Sequence, residues 1–333
     1  MNGVSIFAYS DKGCLLAQKI SGYIGGDIHS TKKFADKYGI GTIDSFGDLF
    51  DESAALIFVC ACGIAVRTIA PYIKSKLTDP AVIVIDDNAN FVIPILSGHI
   101  GGANELAREI ADKLGSAAVI TTATDINNRF SADTWAVKNN CVIGNMNMAK
   151  QISAAILTSD VNLTSDFPIV SRLPNGVVLN ESGEFGICIS YKNHNPYAKT
   201  LRLIPKILHI GIGCRRDKTF AEIDEFFVKV TADINIAAIK SVSSIDIKRN
   251  ESGLLEFAET YRLPIHFYSA DELNELDDKF TQSEFVKSVT GVDNICERAA
   301  FKSADGGDFI MRKTSFNGIT IAICAEDWSV NFE

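Results

Sequence analysis

Residues 96–105 read LSGHIGGANE, with Gly98, Gly101 and Gly102 around His99 and an amphipathic run directly after them. An imidazole titrates near neutrality, so it is the side chain best placed to move protons at physiological pH. Glycines add no bulk beside it, and they let backbone N–H groups approach an anion. Three other stretches have the same form: CACGIAVR (60–67), TTATDINNR (121–129) and GIGCRRD (211–217). In each, a strand ends, small residues turn the chain, and a helix or charged groups follow. The candidate acid–base groups are His99, Glu105 and Asp125. Ser97, Asn104, Thr121, Thr122 and Thr124 stand around them, while Gly211, Gly213, Arg67, Arg215 and Arg216 are suited to an anion. Every one of these has a structural alternative. His99 can be satisfied by a backbone partner, Glu105 by the helix dipole, Asp125 by capping a turn, and the arginine pair by solvent.

The motifs that would indicate other chemistries are missing. GIG lacks the third glycine of a dinucleotide fingerprint, and no GK[ST] phosphate loop occurs, so an NAD or ATP enzyme is not indicated. Ser97 stands outside any Gly-x-Ser-x-Gly elbow. The eight cysteines, at 14, 60, 62, 141, 188, 214, 296 and 324, show no CxxC spacing. Several lie in apolar runs, which predicts buried free thiols in a reducing compartment and no metal site.

Strand-like and helix-like segments alternate, as in an α/β protein with a mostly parallel sheet. GVSIFAY, AALIFVCAC and AAVITTATD read as strands, and AVIVIDDNANFVIPIL as a hairpin about Asp86–Asn90, with Pro94 demoting its second strand to an edge or bulge. Helices are expected near Leu15–Ile24, over IAVRTIAPYI as far as Pro71, and over Ala103–Leu114 with Gly115 as the stop. The boundaries expected are an N-terminal α/β domain over 1–138, a middle segment and connector over 139–204, including HNPYAKTLRLIP, and a C-terminal α/β domain over 205–333. In the last, Thr219–Glu222 and Ser269–Glu272 have capping-box spacing, and FIMRKTSFNGITIAICA reads as two strands about an Asn-Gly turn. Three of the four glycine turns fall in the first domain, where they are expected to line one rim at the carboxyl ends of the strands.

Composition bounds the function. The chain has 333 residues, 47% hydrophobic and 22% charged, which is enough for more than one domain. A net charge of −9 argues against a nucleic-acid surface. No run reaches the roughly 18 apolar residues of a membrane span, and MNGVSIFAYSDKGCLL has no signal-peptide pattern. A cytoplasmic protein acting on an anionic small molecule is expected.

RTIAPYIKSKLTDPAVIVID, FVIPILSGHIGGANELAREIA, VITTATD, LHIGIGCRRDKTFAEI and SIDIKRNESGLLEFA strongly resemble the CbiG family of anaerobic vitamin B12 biosynthesis, the cobalt-precorrin-5A hydrolases. The resemblance covers the first and last domains almost throughout. It implies a ring-contracted cobalt tetrapyrrole substrate rich in carboxylates, opening of its δ-lactone, and loss of acetaldehyde to give cobalt-precorrin-5B. Cobalt then belongs to the substrate, so the protein needs no cofactor or metal of its own. Neighbouring methyltransferases of the pathway become possible partners. For such a reaction His99 fits the proton transfers, and the N–H groups of 98, 101 and 102 fit a developing oxyanion. Thr121, Thr122, Thr124 and Asp125 fit the placing of water or lactone, and the arginines fit peripheral carboxylates. The bare turn is then expected because a flat ring approaches the backbone. The alternative is a non-catalytic carrier of tetrapyrrole intermediates in the same pathway.

Overall fold

Val4–Ala8 (β1), Ala55–Val59 (β4) and Ala81–Ile85 (β5) are buried at every position, as strands covered on both faces must be. The protein is described here from a computed structural model covering residues 3–75, 78–277 and 279–333. Lys76 and Leu77 of the RTIAPYIKSKLTDP stretch lie outside the described residues. The chain divides into two units, with the boundary between Val137 and Lys138.

The first unit is a seven-stranded sheet in the order β3-β2-β1-β4-β5-β6-β7. Its other strands are β2 (Asp27–Ser30), β3 (Gly41–Thr42), β6 (Phe91–Leu96) and β7 (Ala117–Ala118). Helices α1 (Asp11–Ile24) and α5 (Ala103–Leu114) cover one face, where Ala17, Ile20, Leu106 and Ile110 pack on Val4, Ile6 and Ile83. Helices α3 (Phe46–Glu52) and α4 (Cys62–Ile69) cover the other, with Phe50, Ala65 and Ile69 against Phe7, Phe58 and Val84. The short α2 (Lys32–Tyr38), α6 (Ala123–Ile126) and α7 (Ala132–Lys138) complete the unit. As Pro71 requires, α4 stops before it.

The hairpin has a consequence that the rim expectation missed. β4 and β5 are parallel, but β6 runs antiparallel to β5 and β7 parallel to β6. The chain leaving β6 at LSGHIGG, and the chain leaving β7 at TTATD, therefore emerge at the end of the sheet opposite to CACG, which follows β4. The three turns do not share a rim. Register slips between Val82 and Ile83, facing Pro94 and Leu96, and β7 pairs only with Phe91 and Val92. Pro94 thus sits in a bulged stretch beyond the reach of the edge strand. The strand expected over AAVITTATD is reduced to two residues, because from Thr122 the chain turns into α6.

The second unit contains two sheets. One, in the order β10-β9-β11-β12-β8, is built from β8 (Cys141–Ile143), β9 (Val161–Ser165), β10 (Val177–Leu179), β11 (Phe185–Ile189) and β12 (Lys199–Pro205), with α8 (Met146–Ala155). The expected connector HNPYAKTLRLIP supplies β12, since alternate Leu201 and Leu203 are fully buried and the strand pairs on both sides. The other sheet, in the order β15-β14-β13-β17-β16, contains β13 (Leu208–Cys214), β14 (Ile239–Ile245), β15 (Ile265–Tyr268), β16 (Asp308–Phe316) and β17 (Ile319–Ala325). Ile210, Ile212 and Ile321 pack with Phe226, Phe227, Leu254 and Phe257 of α9 (Phe220–Val230) and α10 (Ser252–Thr260). Helices α11 (Ala270–Asn274), α12 (Glu284–Thr290) and α13 (Ile295–Ser303) belong to the same region. Both capping boxes form, at Thr219–Glu222 and Ser269–Glu272. Asn317 and Gly318 take positive φ (44° and 76°) in the β16–β17 turn. Among the described residues, no helix is long and apolar enough to cross a membrane.

Candidate active site

The LSGHIGG turn folds tightly on itself. Ser97 and Gly102 have φ of 55° and 79°. The N–H of Gly102 donates to the His99 carbonyl at 2.9 Å, that of Ala103 to Ser97 at 3.2 Å, and that of Asn104 to Gly98 at 3.0 Å. A Cβ at Gly101 would stand 2.5 Å from the Ser97 Cβ, and one at Gly98 would stand 2.8 Å from Asn104 Oδ1. The turn is bare because its own neighbours press on it. No approaching ring is needed to account for the glycines, and the Gly102 N–H expected at an oxyanion is already engaged.

This folding presents His99 to two carboxylates. Nε2 lies 2.9 Å from Asp125 Oδ2, and Nδ1 lies 3.5 Å from Asp133 Oδ1. Thr124 Oγ1 is 3.3 Å from Nε2 and Ser131 Oγ is 3.2 Å from Nδ1. Ser131 donates to Asp133 Oδ1 at 2.6 Å, and the Thr134 N–H donates to the same oxygen at 3.0 Å. Asn104, 5% exposed at the start of α5, donates from Nδ2 to Thr122 Oγ1 at 2.8 Å and to Asp125 Oδ2 at 3.0 Å. Arg108, one helical turn beyond Asn104, reaches Asp125 Oδ1. Asn104 thereby ties the TTATD loop to the helix that follows the glycine turn.

The charge state follows from these partners. The hydrogen bond with Asp133, with further support from Asp125, raises the His99 pKa above its ordinary 6.5 although burial opposes it. Burial pushes the Asp133 carboxyl up, but the His99 and Ser131 hydrogen bonds outweigh it and hold the group well below the usual carboxylate range. Asp125 is lowered in the same way, burial being overcome by Arg108 and His99. The two carboxylates therefore favour the imidazolium, the form that can donate from both nitrogens.

Of the sequence candidates, His99, Asn104, Thr122, Thr124 and Asp125 come together here. Thr121 is exposed beside them, and Glu105 is exposed in the first turn of α5, where the dipole favours a carboxylate. Ser97 donates to the Asp79 carbonyl at 2.9 Å. Arg67 is exposed on α4, its guanidinium beside Gly63 near the opposite end of the sheet. Sequence reasoning missed Arg108, Ser131 and Asp133. The spacing from Asn104 to Arg108 is i, i+4 on one helix face and was the available signal for Arg108. Nothing in the spacing of Ser131 or Asp133 connects them to His99.

In the second unit, the turn after β13 opens into a cavity of about 650 Å³. Gly213, Arg215 and Arg216 line it with Lys248, Lys313 and Phe316. Among the described residues, no side-chain ion pair or hydrogen bond engages Arg215, Arg216 or Lys313, whereas Lys248 pairs with Glu251 at 2.9 Å. Gly211 has a different part from the one expected. A Cβ there would meet the Cys296 carbonyl oxygen at 1.8 Å, so this glycine lets α13 close on the sheet. His209 of the same strand is a satisfied core histidine, with Ser241 at 2.7 Å and Glu326 at 3.0 Å. The eight cysteines are unbridged.

Comparison with known proteins matches two family descriptions, cobalamin synthesis G N-terminal over residues 44–125 and cobalamin synthesis G C-terminus over 208–324. The cobalt-precorrin-5A hydrolase of Salmonella typhimurium is 30% identical over 96% of this chain and 97% of its own. That of Priestia megaterium is 30% identical over 84% and 81%. A solved structure of a cobalamin biosynthesis protein G homolog from Sulfolobus solfataricus is 24% identical, with a TM-score of 0.40, over 98% of this chain and 97% of that one. By the two family matches and the two curated relatives, the chain belongs to the cobalamin synthesis G (CbiG) family and is a hydrolase of cobalamin biosynthesis.

Proposed function

We propose that this protein opens the δ-lactone of cobalt-precorrin-5A and releases acetaldehyde, giving cobalt-precorrin-5B. The observation that carries the reading is the doubly paired His99. Lactone opening adds water to the carbonyl, with the water's protons passing to solvent as the carboxylate forms, breaks the acyl C–O bond, and leaves an alkoxide that must take a proton. The charged His99 supplies it and becomes neutral. The neutral ring then removes the proton of the same hydroxyl as the adjacent C–C bond breaks. Acetaldehyde leaves, and the electron pair passes to the macrocycle. His99 ends as the imidazolium it was, and Asp125 and Asp133 favour that charged form at both ends of the cycle. Asn104, Thr122 and Thr124 hold Asp125 and the loop in place around it.

Recognition is assigned to the second unit. A substrate bearing many carboxylates needs cations that are not already neutralised, and Arg215 and Arg216 meet that need at the Gly213 turn. Cobalt arrives with the substrate. The unbridged cysteines and the acidic net charge favour a cytoplasmic enzyme that does not bind nucleic acid.

The test is anaerobic incubation of the purified protein with cobalt-precorrin-5A, following acetaldehyde against time. Release over many turnovers supports the hydrolase. Stoichiometric binding of the pigment with no acetaldehyde replaces this reading with the carrier.

A further inference from the structure

The cavity beside Arg215 and Arg216 has a second wall that none of the glycine motifs touches. Helix α12 buries none of its residues. Phe285 and Val289, an i, i+4 pair on one of its faces, are 71% and 65% exposed, yet both line the cavity. Ile247 and Phe316, also exposed, line it too. Large apolar side chains gathered at a concave surface mark a place that is covered in use. Unpaired cations in the same cavity specify what covers it: an apolar body with an anionic periphery.

Lys313 is the cation the motifs did not include. Its backbone N–H donates to Glu297 Oε1 at 2.7 Å, and its side chain lines the cavity. Glu297 is fully buried, and its carboxylate also accepts from the Thr281 N–H at 2.7 Å and from Thr281 Oγ1 at 2.9 Å. Thr281 stands two residues before Ser283, the N-cap of α12. One buried carboxylate therefore anchors both the strand that carries Lys313 and the chain entering α12.

We propose that α12 and Lys313 form a clamp for a flat polyanionic ring. Phe285 and Val289 cover a face of the ring, Lys313 pairs with one of its peripheral carboxylates, and Glu297 is the positioning residue that holds the two together. The proposal rests on the cobalt-tetrapyrrole reading above and names the residues that discriminate its substrate.

Uroporphyrin, a planar octacarboxylate, serves as the probe, with its fluorescence followed on titration with the full-length protein. The double substitution Phe285→Ala with Val289→Ala lies at exposed positions, and thermal unfolding checks that it folds. It is expected to weaken binding about tenfold at low and high salt alike, since apolar contact is not screened. Lys313→Ala is expected to weaken binding about fourfold at low salt, with the difference vanishing at about 0.5 M salt, and Lys313→Arg to restore it. Unchanged affinity in both variants, or no binding of uroporphyrin by the unmodified protein, overturns the clamp. The acetaldehyde assay separates the two readings. Porphyrin binding that depends on these residues, in a protein that releases no acetaldehyde, leaves the clamp standing and removes the hydrolase assignment. Turnover with variants that bind and react like the unmodified protein does the reverse.

Discussion

Replacing Asp133 by Asn tests the reasoning about His99 most directly. Asp133 is 8% exposed, and its Oδ1 meets Ser131 Oγ, the Thr134 N–H and His99 Nδ1. An Asn Oδ1 accepts the first two hydrogen bonds and lacks only the charge. A hydrogen bond to a charged partner is worth about 1.5–3 kcal/mol, so the first unit loses about 2 kcal/mol, and its unfolding midpoint falls by about 8 °C. The pH dependence has two limbs. His99 is raised in the fold, so its contribution is fully present below the unfolded pKa of roughly 6.5 and is lost as pH rises through the folded value. Asp133 is lowered, so its contribution is present above roughly 3.9 and is lost as pH falls through the folded value. The pair therefore stabilises most between about pH 4 and 6.5, and the deficit of Asp133→Asn is largest in that window. The hydrogen bond with Asp133 is the largest influence raising His99, so the substitution lowers the His99 pKa. An NMR titration of the His99 ring resonance, assigned by its loss in His99→Gln, measures that shift. The alkaline limb of the acetaldehyde-release profile should move down in pH with it. A His99 pKa that stays or rises in Asp133→Asn refutes the account of the charged ring.

His99→Gln keeps a polar side chain beside Asp125 and removes the transferable proton. Turnover should fall by about 100-fold or more while circular dichroism stays unchanged, and near-full activity would remove His99 from the mechanism. Arg215→Ala combined with Arg216→Ala should raise KM about tenfold at low salt with kcat little changed, because the proposed recognition role has the guanidinium groups bind the substrate equally before and during reaction. An effect on kcat alone would move these arginines out of recognition. Gly211→Ala places a methyl 1.8 Å from the Cys296 carbonyl oxygen and Gly101→Ala places one 2.5 Å from the Ser97 Cβ. Both should destabilise, Gly211→Ala by about 3 kcal/mol and Gly101→Ala by less, as read by denaturant unfolding. Equal stability of Gly211→Ala would mean that α13 is not packed on β13 as described.

The strands and helices were largely legible because local patterns specify them. Continuous apolar runs gave β1, β4 and β5, and the 3.6-residue spacing from Ala103 to Leu114, with Gly115 after it, gave α5 at its observed limits. The capping residues Thr219 and Ser269 and the Asn317–Gly318 turn act over a few residues, so their meaning does not depend on the rest of the chain. AAVITTATD misled because strand propensity says nothing about whether a neighbour is present along its whole length. HNPYAKTLRLIP misled because its two buried leucines are recognisable only once β8 and β11 flank them.

The sequence by itself determined that the protein is α/β and, through the resemblance its glycine-turn motifs carry, which family it belongs to. Only the tertiary structure decided which turns meet. One reversal of strand direction between β5 and β6 carried LSGHIGG away from CACG and brought it to TTATD. Only the fold set the direction in which the His99 pKa moves, since that depends on Asp133, 34 residues along the chain, and on the burial of both. The same holds for the α12 wall and Lys313. Pattern is a property of neighbours in sequence, whereas pKa, cavity and unpaired charge are properties of neighbours in space.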